Sequence, residues 1–160
     1  MPFEWHYQIT LKDPYRGVQI VNKYTRESIS NFPFLYMSEI ESKSLETNEG
    51  ARMGIRLVKN VKNDADSEIK LSSYDIGSLI YQCPSNYITH FVARDLMILS
   101  GVERWFDELS RDRARATSFM TPDGTRRILD EPAKWEGLVK ISGELRDLVQ
   151  SVEKELITTR

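Results

Sequence analysis

The spacing of apolar residues changes at Ser72, and this change limits the possible folds more than any other feature of the chain. Before Ser72, apolar and polar residues alternate, as they do from Trp5 to Leu11, and that period is typical of a strand with one buried face. After Ser72, apolar residues recur at helical spacing. The sequence therefore predicts an α+β fold in which antiparallel strands come first.

The segment before Ser72 predicts a β-meander with one face in water. Strands are expected at Trp5 to Leu11, Gly17 to Tyr24, Phe34 to Met37 and Met53 to Val58, with a short return at Glu68 to Leu71. The acidic, serine-rich residues 38–50 predict an exposed loop between the third and fourth strands.

Two helices have recognisable ends. Ser72 and Asp75 have the spacing of a capping box, and the helix that follows stops before Pro84. A long C-terminal helix begins after Asp130, with Pro132 in its first turn, where proline is tolerated. Its apolar residues follow a heptad-like spacing: Leu138, Ile141, Leu145, Leu148 and Val152.

The region between these helices is less regular. Residues 87–94 predict a strand, and residues 95–109 fit either a helix or a strand, of which we favour the helix despite Gly101. Pro122-Asp123-Gly124 predicts the turn of a hairpin over residues 117–128. The chain is therefore expected to be a single domain, residues 1–160, made of two successive β-meander-plus-helix units, 1–83 and 84–157.

Composition and charge restrict the function. The chain of 160 residues has a formal net charge of −2, without a basic block, which argues against a duplex binder that neutralises many phosphates. A single-strand binder needs only a local basic groove and stacking aromatics. Cys83 is the single cysteine, and the sequence leads us to expect neither a signal or transit peptide nor a membrane span, so a cytoplasmic or other reducing compartment is expected.

Residues 67–82, SEIKLSSYDIGSLIYQ, resemble the strand-into-helix segment of the Whirly family of single-stranded DNA-binding proteins. The matching positions are Leu71-Ser72, Asp75, Ile76-Gly77 and Ser78-Leu79-Ile80. Tyr15-Arg16-Gly17 is similar to the start of the family's lysine-rich second strand, although Val18 stands where the family has a lysine. Residues 119–142 also look like the hairpin and helix of the related transcriptional positive-cofactor domain.

This resemblance implies four antiparallel strands followed by a helix, twice per chain, and assembly into an oligomer, with a tetramer suspected. It also implies binding of single-stranded DNA or RNA, with DNA favoured, without a cofactor and largely without sequence preference. Cations and aromatic residues on the wet face of the sheet are the candidate nucleic-acid contacts. They are Tyr15, Arg16, Lys23, Tyr24, Tyr36, Arg52, Arg56, Arg111, Arg113 and Arg115.

The spacing of these cations depends on the secondary structure. Arg52 and Arg56 share a face of the expected strand, and Arg111, Arg113 and Arg115 share a face only if their segment is extended. An enzyme is not expected, because His6 and His90 lack the neighbours of a metal site and no glycine-rich phosphate loop is present. The alternative is an oligomeric protein–protein module, such as a viral or phage structural subunit or an adaptor.

Overall fold

The computed structural model describes residues 5–8, 17–21 and 28–159, and the chain is mostly helical. Strands β1 (Trp5–Gln8), β2 (Gly17–Val21) and β3 (Ser28–Asn31) form an antiparallel sheet in the order β1-β2-β3. Trp5 pairs with Ile20, and Val18 pairs with Asn31. The helices follow in chain order: α1 (Pro33–Glu46), α2 (Gly50–Asp64), α3 (Ser73–Tyr81), α4 (Ser85–Ile88), α5 (Leu96–Arg111), α6 (Arg113–Ser118) and α7 (Pro132–Thr158).

The connection between α1 and α2 is a tight, left-handed turn. Asn48 and Glu49 have φ angles of 50° and 70°, and Gly50 follows as the first residue of α2. A Cβ atom on Gly50 would lie 1.6 Å from the carbonyl oxygen of Ile88, so only glycine lets α2 approach α4 this closely. The start of α2 therefore lies in direct contact with the end of α4.

The core lies between α2, α3, α5 and α7. Trp105 on α5 is fully buried, and its indole N–H donates to the carbonyl oxygen of Leu79 at 2.9 Å, which satisfies its one polar group. The largest buried side chains come from these helices and their connections: Trp105, Phe106, Leu71, Ile76, Leu79, Ile80, Ile88, Leu109, Ile128, Leu138, Ile141 and Leu145. Burial of these apolar surfaces holds the helices in place.

Most of the predicted β-structure is wrong, and with it the predicted fold class. Residues 34–37 and the supposed loop 38–50 lie mainly in α1, and residues 53–58 lie in α2. The buried face of α2 consists of Gly50, Ala51, Gly54 and Val58, which have helical spacing. Because these residues are small, the larger Met53, Ile55 and Leu57, which alternate, dominated the sequence pattern.

The later elements are closer to expectation. The capping box at Ser72, the helix over 95–109 and the long C-terminal helix starting with Pro132 are confirmed as α3, α5 and α7. Residues 87–94 are not a strand, since they comprise the end of α4 and a turn. The hairpin over 117–128 reduces to one bridge between Met120 and Arg127 around a turn at Gly124, whose φ is 70°.

Within the described part of the chain, no helix combines the length and the apolar character needed to cross a membrane. The predicted organisation, a single domain of residues 1–160 divided into the units 1–83 and 84–157, stays a prediction.

Candidate functional site

The N-terminus of α3 carries the densest polar network in the described structure. Ser72 Oγ accepts from the amide of Asp75 at 3.1 Å, and the Asp75 carboxylate accepts from the amide of Ser72 at 3.0 Å and from its hydroxyl at 2.7 Å. These reciprocal bonds satisfy two amides that a helix start would leave without partners. Ser72 and Ser73 remain exposed at the surface.

Asp75 is also the centre of a buried ion-pair cluster. Its side chain is 1% exposed, and Oδ1 lies 2.6 Å from the Arg126 guanidinium and 3.5 Å from the Lys134 ammonium. Asp130 contacts both cations, at 3.5 Å from Arg126 and 2.6 Å from Lys134. The cluster joins α3, the turn before α7 and the first turns of α7 itself.

The electrostatics of Asp75 follow from these contacts. Burial alone would raise the pKa of this carboxyl, but hydrogen bonds from Arg126 and Ser72 and the positive charge of Arg126 favour the ionised form. The pKa of Asp75 is therefore below its usual value, and the group is a permanent anion at neutral pH. It orients two cations at the edge of an otherwise apolar core.

An aromatic pair lies beside this cluster. The rings of Tyr36 on α1 and Tyr74 on α3 stack with their centroids 4.1 Å apart, and the Tyr36 hydroxyl donates to the Tyr74 carbonyl at 3.2 Å. A Cβ atom on Gly77 would lie 2.0 Å from the Tyr36 hydroxyl oxygen, so the pair requires glycine there. Burial raises the pKa of Tyr36 to about 12, and the Arg126 guanidinium lies 5.4 Å from the centre of the Tyr74 ring.

Asp123, in the turn before α7, completes the site. Its carboxylate accepts from the hydroxyls of Thr121 at 2.6 Å and Thr125 at 2.9 Å, from the amide of Phe32 at 3.2 Å, and from the Tyr74 hydroxyl. Burial alone would raise its pKa, but these donors outweigh burial and hold the pKa of Asp123 below its usual value.

Together these groups form a surface suited to a nucleotide. The exposed Ser73 hydroxyl at a helix start and two nearby cations are the kinds of groups that bind phosphate oxygens. A half-buried tyrosine offers contact to a flat base. Because Asp75 and Asp130 balance Arg126 and Lys134, the surface is not strongly basic, so it suits one nucleotide better than a long nucleic-acid strand.

The sequence-predicted contact residues do not converge on this surface. Tyr15, Arg16, Lys23 and Tyr24 lie outside the described residues, and of the remainder only Tyr36 contributes to the site, through its stack on Tyr74.

The predicted arginines lie elsewhere, on helices rather than strands. Arg52 and Arg56 are on α2, where Arg52 pairs with Glu49 at 3.0 Å and also with Glu41.

Arg111 ends α5, whereas Arg113 and Arg115 are in α6, so the three side chains do not share an extended face. Arg111 pairs with Asp107 at 2.9 Å and Arg115 with Glu108 at 3.8 Å. Both cations are therefore engaged with carboxylates on α5.

Most groups of the candidate site could not be recognised from the sequence, for an identifiable reason. Asp75 was explained by its capping role and Asp123 by its turn, and both roles are real. Arg126 and Lys134, 51 and 59 residues from Asp75, have no sequence spacing that points to it. One weak signal was available, because Asp75 is followed by the apolar stripe of Ile76, Leu79 and Ile80, and a carboxylate that such a stripe buries needs a partner.

Residues 38–151 match the family model described as the cGAS/DncV-like nucleotidyltransferase C-terminal helical domain, and the chain belongs to this family. It is 36% identical over 153 residues to the cyclic dinucleotide synthase CdnE of Yersinia aleksiciae, a match that covers 94% of this chain and 40% of that protein. It is 30% identical over 145 residues to a c-di-GMP synthase of Capnocytophaga granulosa, covering 89% of this chain and 41% of that protein. The chain thus spans less than half the length of these relatives.

Two solved structures have the same fold as this chain. The STING-associated CdnE c-di-GMP synthase from Capnocytophaga granulosa superposes with a TM-score of 0.81 at 27% identity, covering 96% of this chain and 50% of that one. The Elizabethkingia meningoseptica CdnE cyclic dinucleotide synthase, solved with GTP and Apcpp, has a TM-score of 0.71 at 16% identity, covering 93% of this chain and 56% of that one. At that identity the second likeness shows the fold alone.

These findings overturn the functional predictions. The resemblance to the Whirly family is wrong, and the tetramer inferred from it loses its basis. Relatives that are named synthases of cyclic dinucleotides are enzymes, so the prediction of a non-catalytic single-stranded DNA-binding or RNA-binding protein is wrong, as is its alternative of an assembly module. The short similarity at residues 67–82 reflects a common way to start a helix, a capped serine followed by an apolar stripe.

Proposed function

We propose that this chain forms the helical part of a nucleotidyltransferase that joins nucleoside triphosphates into a cyclic dinucleotide. The observation that carries the proposal is the 36% identity to a cyclic dinucleotide synthase across 94% of the chain. In such a reaction a ribose hydroxyl of one nucleotide attacks the α-phosphorus of another, pyrophosphate leaves, and a second transfer closes the ring. Mg²⁺ on the triphosphates is the usual companion of this chemistry.

The surface at the start of α3 is the part of the chain that we propose contacts a nucleotide substrate. The Ser73 hydroxyl and the cations Arg126 and Lys134 suit phosphate or ribose oxygens, whereas the Ser72 hydroxyl already donates to Asp75. Tyr74, held by Tyr36 and Asp123, suits the base or sugar beside them. This surface is rigid before any ligand arrives, because every side chain in it except Ser73 is fixed by a hydrogen bond, an ion pair or a ring contact within the described residues.

The first test measures nucleotide binding by the chain itself. Isotope-labelled chain is titrated with ATP, GTP, CTP and UTP in the presence of Mg²⁺, and amide chemical shifts are followed by NMR. We expect the largest shifts at Ser72, Ser73 and Tyr74 for at least one nucleotide. Ser73→Ala should weaken binding several-fold without loss of stability, because Ser73 is exposed at the first position of α3. Arg111→Ala, on the far end of α5, is the matched control and should bind as the parent does.

The second test measures the reaction. The region of the Yersinia aleksiciae synthase that matches this chain is replaced by the chain, and the chimaeric protein is incubated with the four triphosphates and Mg²⁺. We expect a cyclic dinucleotide and pyrophosphate among the products. A folded chimaera without product, together with a chain whose amides respond to no nucleotide, would show that the proposal is wrong.

We further infer a reducing compartment for the protein. Cys83 is the one cysteine in the sequence, and it is buried against the core. Burial raises the pKa of its thiol to about 12, so the group packs as a small apolar side chain. Labelling with a thiol reagent should be slow in the folded protein and fast after unfolding.

A further inference from the structure

Asp123 lies where the chain enters the helical region. Strand β3 ends at Asn31, and Phe32 is the residue immediately before α1. The amide of Phe32 donates to Asp123 Oδ2 at 3.2 Å, across a sequence separation of 91 residues. The entry point of the chain is therefore tied to the turn that precedes α7.

The Asp123 carboxylate is held rigidly by its own turn. The side chain is nearly buried, and Oδ1 accepts from the Thr121 hydroxyl at 2.6 Å, from the Thr125 hydroxyl at 2.9 Å and from the Thr125 amide at 3.3 Å. Gly124, with φ of 70°, supplies the left-handed residue that closes the turn. With Oδ1 fixed by three donors, Oδ2 has one direction in which to point, and Phe32 lies there.

The third contact of Asp123 reaches the proposed nucleotide surface. The Tyr74 hydroxyl donates to this carboxylate. The Tyr74 ring also stacks on Tyr36 of α1 at 4.1 Å, and the Tyr36 amide donates to the Phe32 carbonyl at 2.9 Å. A single carboxylate thus connects the start of α1, the turn before α7 and the aromatic residue at the start of α3. A movement of the entering chain at Phe32 is transmitted to Tyr74 through this rigid group.

We propose that Asp123 is a positioning residue for nucleotidyl transfer, an inference that rests on the proposed function. In relatives whose helical domain is C-terminal, the rest of the enzyme precedes it, so Phe32 lies on the path from that part to the nucleotide surface. Asp123 fixes the angle between the chain entering at Phe32 and the nucleotide surface. Because a displacement of about 1 Å between reacting groups can cost up to ~10²-fold in rate, loss of this link lowers kcat more than it weakens substrate binding.

The test is Asp123→Asn, which keeps the size of the side chain and replaces one acceptor oxygen by an NH2 group. In either orientation the new NH2 group faces a backbone N–H, that of Phe32 or that of Thr125, which can only donate, so one contact is lost. In the chimaeric synthase we expect kcat to fall about tenfold with KM within about twofold. Asp112→Asn is the matched control, because Asp112 also caps a backbone amide, that of Arg115 at 3.0 Å, but contacts neither α1 nor α3. It should leave kcat unchanged.

A second variant removes the risk that Asp123→Asn fails to fold. Tyr74→Phe keeps the ring and its stack on Tyr36 and removes only the hydroxyl that reaches Asp123, so we expect kcat to fall in the same direction by a smaller factor. Hydrogen exchange in the isolated chain gives a readout independent of activity. The Phe32 amide should exchange at least about tenfold faster in Asp123→Asn, while core amides of α5 keep their protection.

The outcomes separate this inference from the proposed function. If the chain responds to no nucleotide and the parent chimaera makes no product, the proposed function is wrong. Hydrogen exchange then tests only the link between Phe32 and Asp123. An active parent chimaera in which Asp123→Asn and Tyr74→Phe keep kcat would overturn the positioning role. A rise in KM with kcat unchanged would overturn it equally, because it would make Asp123 a binding residue.

Discussion

Two carboxylates of the candidate site, Asp75 and Asp123, are both buried and both ionised, yet they are stabilised in different ways. Asp75 is surrounded by charge, since Arg126 and Lys134 lie 2.6 and 3.5 Å from the same oxygen. The donors to Asp123 are hydroxyls and backbone amides. Burying a charge is costly unless it is paired or fully hydrogen-bonded, and the molecule uses each solution once within one surface.

The difference decides what each group leaves behind when it is removed. Loss of Asp75 leaves two partly buried cations facing each other, with Asp130 as the remaining anion. Loss of Asp123 leaves only neutral donors: the threonine hydroxyls can rotate toward other acceptors or water, and the amides of Phe32 and Thr125 lose this acceptor. We therefore regard Asp75 as a determinant of stability and Asp123 as a determinant of geometry.

The largest effect is expected for Asp75→Ala. Breaking a fully buried ion pair by removing one partner typically costs ~3–5 kcal/mol; because Arg126 and Lys134 are 31% and 17% exposed and both keep Asp130, we expect a loss at the lower end of that range. The change also removes half of the capping box of α3. Urea unfolding should show a loss of this size in the free energy of unfolding. A loss below about 1 kcal/mol would show that the cluster contributes no more than a surface pair.

Asp123→Ala should be less destabilising, by about 1–3 kcal/mol, the cost of leaving buried hydrogen-bond donors without an acceptor. The same unfolding experiment measures it, with Asp112→Ala as the control for loss of an exposed cap. If Asp123→Ala proved as destabilising as Asp75→Ala, the proposed division between stability and geometry would fail.

The sequence predicted one part of this site well and another not at all. The capping box at Ser72 was visible because all its groups lie within four residues. The stripe on α7 was visible because large apolar residues recur along it, and Leu138, Ile141 and Leu145 are buried as that spacing predicts. Local patterns of large side chains therefore predict α3 and α7 correctly, whereas the alternating Met53, Ile55 and Leu57 gave a wrong strand in place of α2.

Two physical causes explain why the fold class and the ion-pair cluster could not be predicted from the sequence. The helix α2 packs through Gly54, whose missing side chain allows Val102 to approach to 3.2 Å of where a Cβ atom would be, and small residues leave no hydrophobic pattern. The ion cluster joins Asp75 to residues more than 50 positions away, and a long-range pair has no local period. The small buried residues of α2 led to the wrong fold class, and the long sequence separation of the ion pairs concealed the candidate site.

Acidification tests both carboxylates together. Their pKa values in the folded protein lie below the value of about 3.9 found for aspartate in unfolded chains. Such groups contribute stability above the unfolded pKa, and this contribution is lost as the pH falls through the folded pKa. The free energy of unfolding should hence change little between about pH 7 and pH 5 and fall below about pH 4. Asp75→Asn should be less stable at neutral pH and show a shallower fall, whereas an unchanged slope would contradict the lowered pKa.

Ser72→Ala isolates the neutral half of the Asp75 environment. It removes the hydroxyl that caps α3 and donates to Asp75 at 2.7 Å, but leaves Arg126 in place. Loss of an N-cap serine costs about 1 kcal/mol. Thermal and urea unfolding should both place this variant between the parent and Asp123→Ala. A loss as large as that of Asp75→Ala would mean that the cap, and not the ion pairs, is the main support of Asp75.

Arg111→Ala should have the smallest effect, and it tests whether distance or burial sets the strength of an ion pair. The guanidinium of Arg111 lies 2.9 Å from Asp107, close to the 2.6 Å of Arg126 from Asp75, but Arg111 is 74% exposed and Arg126 is 31% exposed. Exposed pairs contribute about 0–1 kcal/mol because water screens them, and Asp107 keeps a second partner in Arg146 at 2.6 Å. The unfolding free energy should therefore stay within about 0.5 kcal/mol of the parent. A loss comparable to that of Asp75→Ala would mean that a short contact alone is sufficient for a strong ion pair. The contrast between Asp75 and Asp123 would then have to be explained by contact geometry instead of by burial.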